Sequence, residues 1–189
     1  MTRRVKIKFN APVILSFVMI CLIVTLLGVI TDNSITKAFF TTYHSSLMDP
    51  LTYVRFFTHI FGHADLNHFM SNAIYLLLLG PLLEEKYGSV MIVKTIMLTA
   101  LVTGFVNYIL FWNVGLCGAS GVVFAFVVLS SFTSFSEGEI PVTFILIVII
   151  FIGQQIVDGL AMGDNISQLA HIIGGLVGAI VGYRMNKKN

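Results

Sequence analysis

Ser120 and His171 are chemically competent side chains set in stretches that otherwise read as membrane helix. Ser120 lies in Gly118-Ala119-Ser120-Gly121, ahead of Val122-Val123-Phe124-Ala125-Phe126. His171 lies in Ala170-His171-Ile172-Ile173-Gly174-Gly175. Nucleophilic or ionisable groups at membrane depth are costly, so they point to function. A serine hydroxyl is a weak nucleophile at neutral pH and needs an adjacent base. Neutral His171 can take the Ser120 proton and later return it to a leaving amine. The pair therefore points to nucleophilic acyl transfer inside a bilayer.

Such chemistry needs donors for a developing oxyanion. His68 and Asn72 are spaced i, i+4 and share one helix face, and both can donate. Ser120 at a helix N-terminus adds its own backbone N–H and the positive end of the helix dipole. Gly118 and Gly121 keep side chains away from the nucleophile and from helix packing.

The elements that position these residues are membrane helices. The chain has 189 residues, 57% hydrophobic and 11% charged, with a mean hydropathy of +0.92. A soluble domain is nearer about a quarter charged. Six apolar segments are read at 11–30, 68–83, 90–112, 118–135, 141–157 and 166–183, within one membrane domain over 1–189. In lipid the backbone must satisfy its own hydrogen bonds, so the segments are predicted helices of an all-α bundle. Arg3, Arg4, Lys6 and Lys8 precede the first segment in the manner of a signal peptide. That segment is nevertheless long enough to span, and no A-x-A pattern follows, so it is read as a retained helix. Several segments are short for a ~30 Å core, which implies local thinning of the bilayer. The long first loop, 31–67, is rich in aromatics and reads as an amphipathic element in the interface.

Lysine and arginine set the orientation. With the N-terminus inside, the cytoplasmic side holds Arg3, Arg4, Lys6, Lys8, Lys86, Lys94, Arg184, Lys187 and Lys188, and the outer side only Lys37 and Arg55. Both termini are then cytoplasmic, in the plasma membrane. The second, fourth and sixth segments enter from the outer face. His68 and Asn72, Ser120, and His171 then fall at similar depth below that face, around one cavity.

Other residues read as structural. Gly174, Gly178 and Gly182 form a small-xxx-small seam that would hold the sixth helix against a neighbour, the fourth by preference. Glu84, Gly88 and Ser89 read as turn and capping residues, Arg55 as an anchor of the first loop, and His63 as hydrogen-bonding within that loop. His44 and His59 receive no role. Cys21 and Cys117 read as free thiols, with no cofactor or metal motif. A net charge of +2 without a basic stripe gives no support to nucleic-acid binding.

The chain resembles the rhomboid family of intramembrane serine proteases. The matching pieces are His63-Ala64-Asp65-Leu66-Asn67-His68-Phe69-Met70-Ser71-Asn72, Gly80 through Glu84 with Gly88 and Ser89, Gly118-Ala119-Ser120-Gly121, and Ala170-His171 with Gly174. The resemblance implies cleavage of single-pass membrane proteins near the outer face, with Ser120 as nucleophile, His171 as base, and His68 and Asn72 at the oxyanion. It also implies the minimal six-helix bacterial form. Two positions depart from the family pattern. Val54-Arg55 stands where relatives often carry Trp-Arg, and Phe124 where an aromatic, commonly tyrosine, packs on the histidine. The alternative is a rhomboid-like pseudoprotease that binds membrane clients without cutting them; loss of the serine or histidine would mark it, and both are present. A zinc protease would need HExxH, which the chain lacks. Ala161-Met162-Gly163-Asp164 is a near miss to an aspartyl motif, with Asp158 and Asp164 read in an outer loop, 158–165. That loop and the fifth helix are the expected substrate gate.

Overall fold

The computed structural model describes residues 9–134, 140–162 and 165–186. Eight α-helices follow in order: α1 (Pro12–Ile30), α2 (Ser34–Phe39), α3 (Pro50–Thr58), α4 (Leu66–Tyr87), α5 (Ser89–Leu110), α6 (Ser120–Ser131), α7 (Val142–Met162) and α8 (Asn165–Asn186). Among the described residues there is no strand, only one antiparallel bridge between Thr42 and Leu116. Helices α1, α4 and α5 are long and apolar enough to cross a membrane, and α6 is apolar but shorter.

The short α6 is the centre of the bundle. Gly121, Val122, Val123, Ala125, Phe126, Val128, Leu129 and Ser131 are all buried. Twelve residues rise only about 18 Å, against a ~30 Å hydrocarbon core. The stretch leading into Ser120, 111–119, is non-helical, and its Leu116, Gly118 and Ala119 are buried. Around α6 lie α4, α5 and α8, with α8 forming the most extensive helix pair in the described structure. The glycine seam explains that pairing. A Cβ on Gly174 would collide with the Gly121 backbone, one on Gly178 with the Ala125 backbone, and one on Gly182 with the Phe132 ring. The seam does face α6, as the glycine spacing led us to expect.

The first loop is compact. Asp49 caps α3 by accepting from Leu51 N at 3.0 Å. Arg55, only 5% exposed, donates from Nε to the Ala38 carbonyl at 2.8 Å and pairs with Asp49 at 3.4 Å. Its guanidinium also covers the Tyr43 ring, 4.7 Å from the centroid. Arg55 thereby ties α2 to α3. Val54 is exposed, so the departure at that position leaves the anchor intact.

Several boundaries differ from the sequence reading. The segment read from Gly118 starts its helix at Ser120, because Gly118 has φ +129°, outside the helical region. The segment read to Val157 continues to Met162, so Asp158 and Gly159 are helical rather than in a loop. A single Gly-Asp pair does not outweigh the hydrogen bonds that a continuing helix satisfies. Gly163 and Asp164, and residues 135–139, lie outside the described residues, as do the terminal basic residues Arg3, Arg4, Lys6, Lys8, Lys187 and Lys188.

Glu84 does more than cap its own turn. Helix α1 begins with Pro12, which has no N–H, and Ala11 offers no side-chain cap. The next two N–H groups, of Val13 and Ile14, are bound by the two Glu84 oxygens at 3.1 Å each. Ser89 Oγ donates to the same carboxylate at 2.6 Å. Glu84 is 5% exposed. Removing it strands two donors at a buried helix start, at about 1–3 kcal/mol each. Glu84→Ala is expected to lower the thermal unfolding temperature in detergent far more than Glu84→Gln, which keeps one carbonyl acceptor. Equal melting of Glu84→Ala and wild type would show that water replaces this cap.

Candidate active site

Ser120 is the first residue of α6, half-buried. As such, its backbone N–H has no partner inside the helix. The turn before it is pinned from the first loop at two points. Gly118 N donates to the His59 carbonyl at 3.0 Å, and Ala119 N donates to His63 Nε2 at 3.4 Å. The Thr42–Leu116 bridge, with bonds of 2.9 and 2.8 Å, fixes the preceding strand-like stretch.

The imidazole contacts assign their own tautomers. His63 accepts at Nε2 from Ala119, so Nδ1 carries the proton and donates to the Phe61 carbonyl at 3.2 Å. Burial is the main cause that lowers its pKa to about 4, with repulsion from His68 next. His59 is lowered to about 4 by burial as well. Both rings are neutral at pH 7 and serve as scaffold. His63 was expected to bond within its own loop; it also reaches the turn that carries Ser120. His59, left without a role, bonds the Ala100 carbonyl at 3.1 Å.

His68 lies in the first turn of α4, three residues after Asp65, whose carboxylate caps the helix by accepting from His68 N at 2.8 Å. Ala64 N–H points to His68 Nδ1 at 3.5 Å, which leaves the proton on Nε2. That edge faces the site. A Cβ on Gly118 would sit 2.9 Å from His68 Nε2 and 3.9 Å from Ser120 Oγ. The imidazole edge and the serine hydroxyl therefore flank one bare Cα, and no residue but glycine fits there. Asn72, 5% exposed, lies one turn deeper and donates from Nδ2 to the His68 carbonyl at 3.1 Å. The amide nitrogen has a second hydrogen for another acceptor.

His171 comes from α8. Phe124, one turn along α6 from Ser120, packs on it with ring centroids 4.3 Å apart. A Cβ on Gly121 would lie 3.6 Å from the Ala170 carbonyl. Residues 121 and 124 thus touch residues 170, 171 and 174 across the seam, on the same helix crossing as Ser120. The structure therefore sets His68 of α4 beside Ser120, and His171 of α8 against Phe124 one turn further along α6. Cys21 and Cys117 are free thiols. No group of three or more His, Cys, Asp or Glu side chains suited to a metal is found among the described residues.

These features define an integral membrane protein with a polar centre built from three helices of an apolar bundle. Residues 50–188 match the Rhomboid domain family, and the chain belongs to that family. It is 26% identical over 147 residues to Rhomboid-like protein 11, chloroplastic, of Arabidopsis thaliana, covering 70% of this chain and 52% of that protein. It is 31% identical over 139 residues to Rhomboid-related protein 1 of Caenorhabditis elegans, covering 68% and 39%. It is 37% identical over 71 residues to Rhomboid protease GlpG of Salmonella newport (strain SL254), covering 38% and 25%. The chain spans about half the length, or less, of these relatives.

Proposed function

We propose that this chain is an intramembrane serine endopeptidase acting on single-pass membrane proteins. The observation that carries the reading is the placement of the Ser120 hydroxyl and the His68 Nε2 edge on either side of Gly118. His171 is held at the same helix crossing by Phe124 and the glycine seam. Membership of a family with a protease-named relative supports it.

In this mechanism His171 removes the Ser120 proton as the oxygen attacks a substrate carbonyl. The tetrahedral oxyanion meets His68 Nε2–H, the second Asn72 N–H and the Ser120 backbone N–H. His171 returns the proton to the leaving amine, and water then hydrolyses the acyl-enzyme. The 1–189 chain acts as one membrane domain with both termini cytoplasmic, in the plasma membrane, and the site towards the outer face. Helix α7 is the gate: its described side chains Ile145, Leu146, Ile149, Ile150 and Val157 are exposed, and a Cβ on Gly153 meets nothing within 4 Å.

The test is to incubate the purified protein in proteoliposomes with a panel of single-pass membrane substrates and map the products by mass spectrometry. Cuts are expected at or just beside the outer end of the substrate helix, where Gly or Pro loosens hydrogen-bonded backbone. A cut in the cytoplasmic half contradicts the orientation. Stable binding of every substrate without any product favours the client-binding alternative.

A further inference from the structure

A cavity of about 850 Å³ lies beside the segment that leads into Ser120. That is the size of a pocket for a whole small ligand rather than a single side chain. One wall is α2 and the stretch after it, with Lys37, Ala38 and Tyr43. The other is the segment from Trp112 to Cys117, which runs through Gly118 and Ala119 into Ser120. At Ala64 the cavity reaches the backbone whose N–H points to His68 Nδ1. The groove therefore lies against the segment that leads into Ser120.

The walls are preformed. Arg55 Nε holds the Ala38 carbonyl, and Asn33 Nδ2 holds the Ala64 carbonyl at 3.1 Å. Small residues make the room. At Gly115 a Cβ would lie 2.7 Å from Thr41 Cγ2. The lining is otherwise neutral, and Lys37 is its single charged residue. Arg55 on the same face is consumed by Asp49, in the one ion pair recorded among the described residues, whereas Lys37 is exposed and outside that pair.

We propose that Lys37 makes this groove selective for substrates that carry an acidic side chain close to the cleaved bond. The inference rests on the proteolysis proposed above and goes beyond it, to the chemistry of the preferred substrate. A substrate segment that leaves the site along this groove passes beside the cation, where a carboxylate gains and an ammonium loses. Lys37 is a specificity residue, remote from the reacting atoms.

The experiment uses the full chain in vesicles of neutral lipid. A membrane substrate is prepared with Glu, Ala or Lys placed in turn at each position flanking the cut. At one or more positions the wild type is expected to show kcat/KM about fivefold higher for Glu than for Ala, the upper range for a partly solvated ion pair, and lower for Lys. Lys37→Glu is expected to reverse that order. The preference is expected to shrink as salt is raised. Equal rates for Glu and Lys substrates at every position, or an order that Lys37→Glu leaves unchanged, would overturn the proposal. So would a Lys37→Glu defect that ignores substrate charge and follows the anionic lipid content of the vesicle, since the lysine would then serve a headgroup. Failure of the proteolysis reading looks different: the wild type leaves even the Ala substrate uncut. In that event photocrosslinking of the same substrates to Lys37 and Lys37→Glu protein decides, with Glu over Lys selectivity in yield as the expected result and equal yields as the refutation.

Discussion

Ser120→Ala is expected to remove cleavage entirely, and His171→Gln to reduce it nearly as far. A serine whose base is lost, or a base without its nucleophile, fails as a unit; in such pairs either loss costs on the order of a million-fold in turnover. The structure makes the serine exchange a clean one. Alanine keeps the helix start at residue 120, leaves Gly118 beside His68, and removes only the hydroxyl. Gln at position 171 keeps bulk against the Phe124 ring, which Ala would leave over a gap. Both variants are therefore expected to unfold near the wild-type temperature. A fluorophosphonate probe is expected to label wild type strongly, the His171 variant slowly, and the Ser120 variant not at all. Cleavage retained by repurified Ser120→Ala, in a preparation free of other proteases, would refute a serine mechanism.

The helical bundle and its central seam were legible because lipid leaves few alternatives. Long apolar runs must be helices there, and glycines at 174, 178 and 182 share one face at helical spacing. For the candidate site, orientation and helix parity led to the expectation that His68, Asn72, Ser120 and His171 lie at similar depth; the structure packs α4 and α8 each against α6 and sets His68 beside Ser120. Pairings across long stretches of chain were not legible. Glu84 reads as a turn residue, yet it caps α1 from seventy residues away. The signal was available in part, since Ala11-Pro12 offers α1 no cap of its own. Asp65, given no role in the sequence reading, caps α4 two residues ahead of the start read there. His59 and His63 sit in a loop, where local sequence says nothing of the Gly118–Ala119 turn they support. The 158–165 loop was over-read from glycine and aspartate alone; α7 runs through its first half.

Gly174→Ala is expected to be the most damaging conservative change outside the reacting groups. The added methyl would collide with the carbonyl and Cα of Gly121, atoms of a backbone that has no rotamer to yield. Helices α6 and α8 must then part, and overpacking of this kind costs about 1–3 kcal/mol. The consequence for activity is larger than for stability. Gly121 adjoins Ser120 and Gly174 lies three residues from His171, so the gap opens between the proposed nucleophile and the proposed base. A displacement of ~1 Å can cost about a hundredfold in rate. Gly153→Ala provides the control, since a Cβ there meets nothing within 4 Å. Measured together, Gly174→Ala is expected to melt earlier and to lose about a hundredfold in kcat, while Gly153→Ala keeps the wild-type melting temperature. If the two variants behaved alike, the seam would be a bystander, and some other contact would hold α8 against α6.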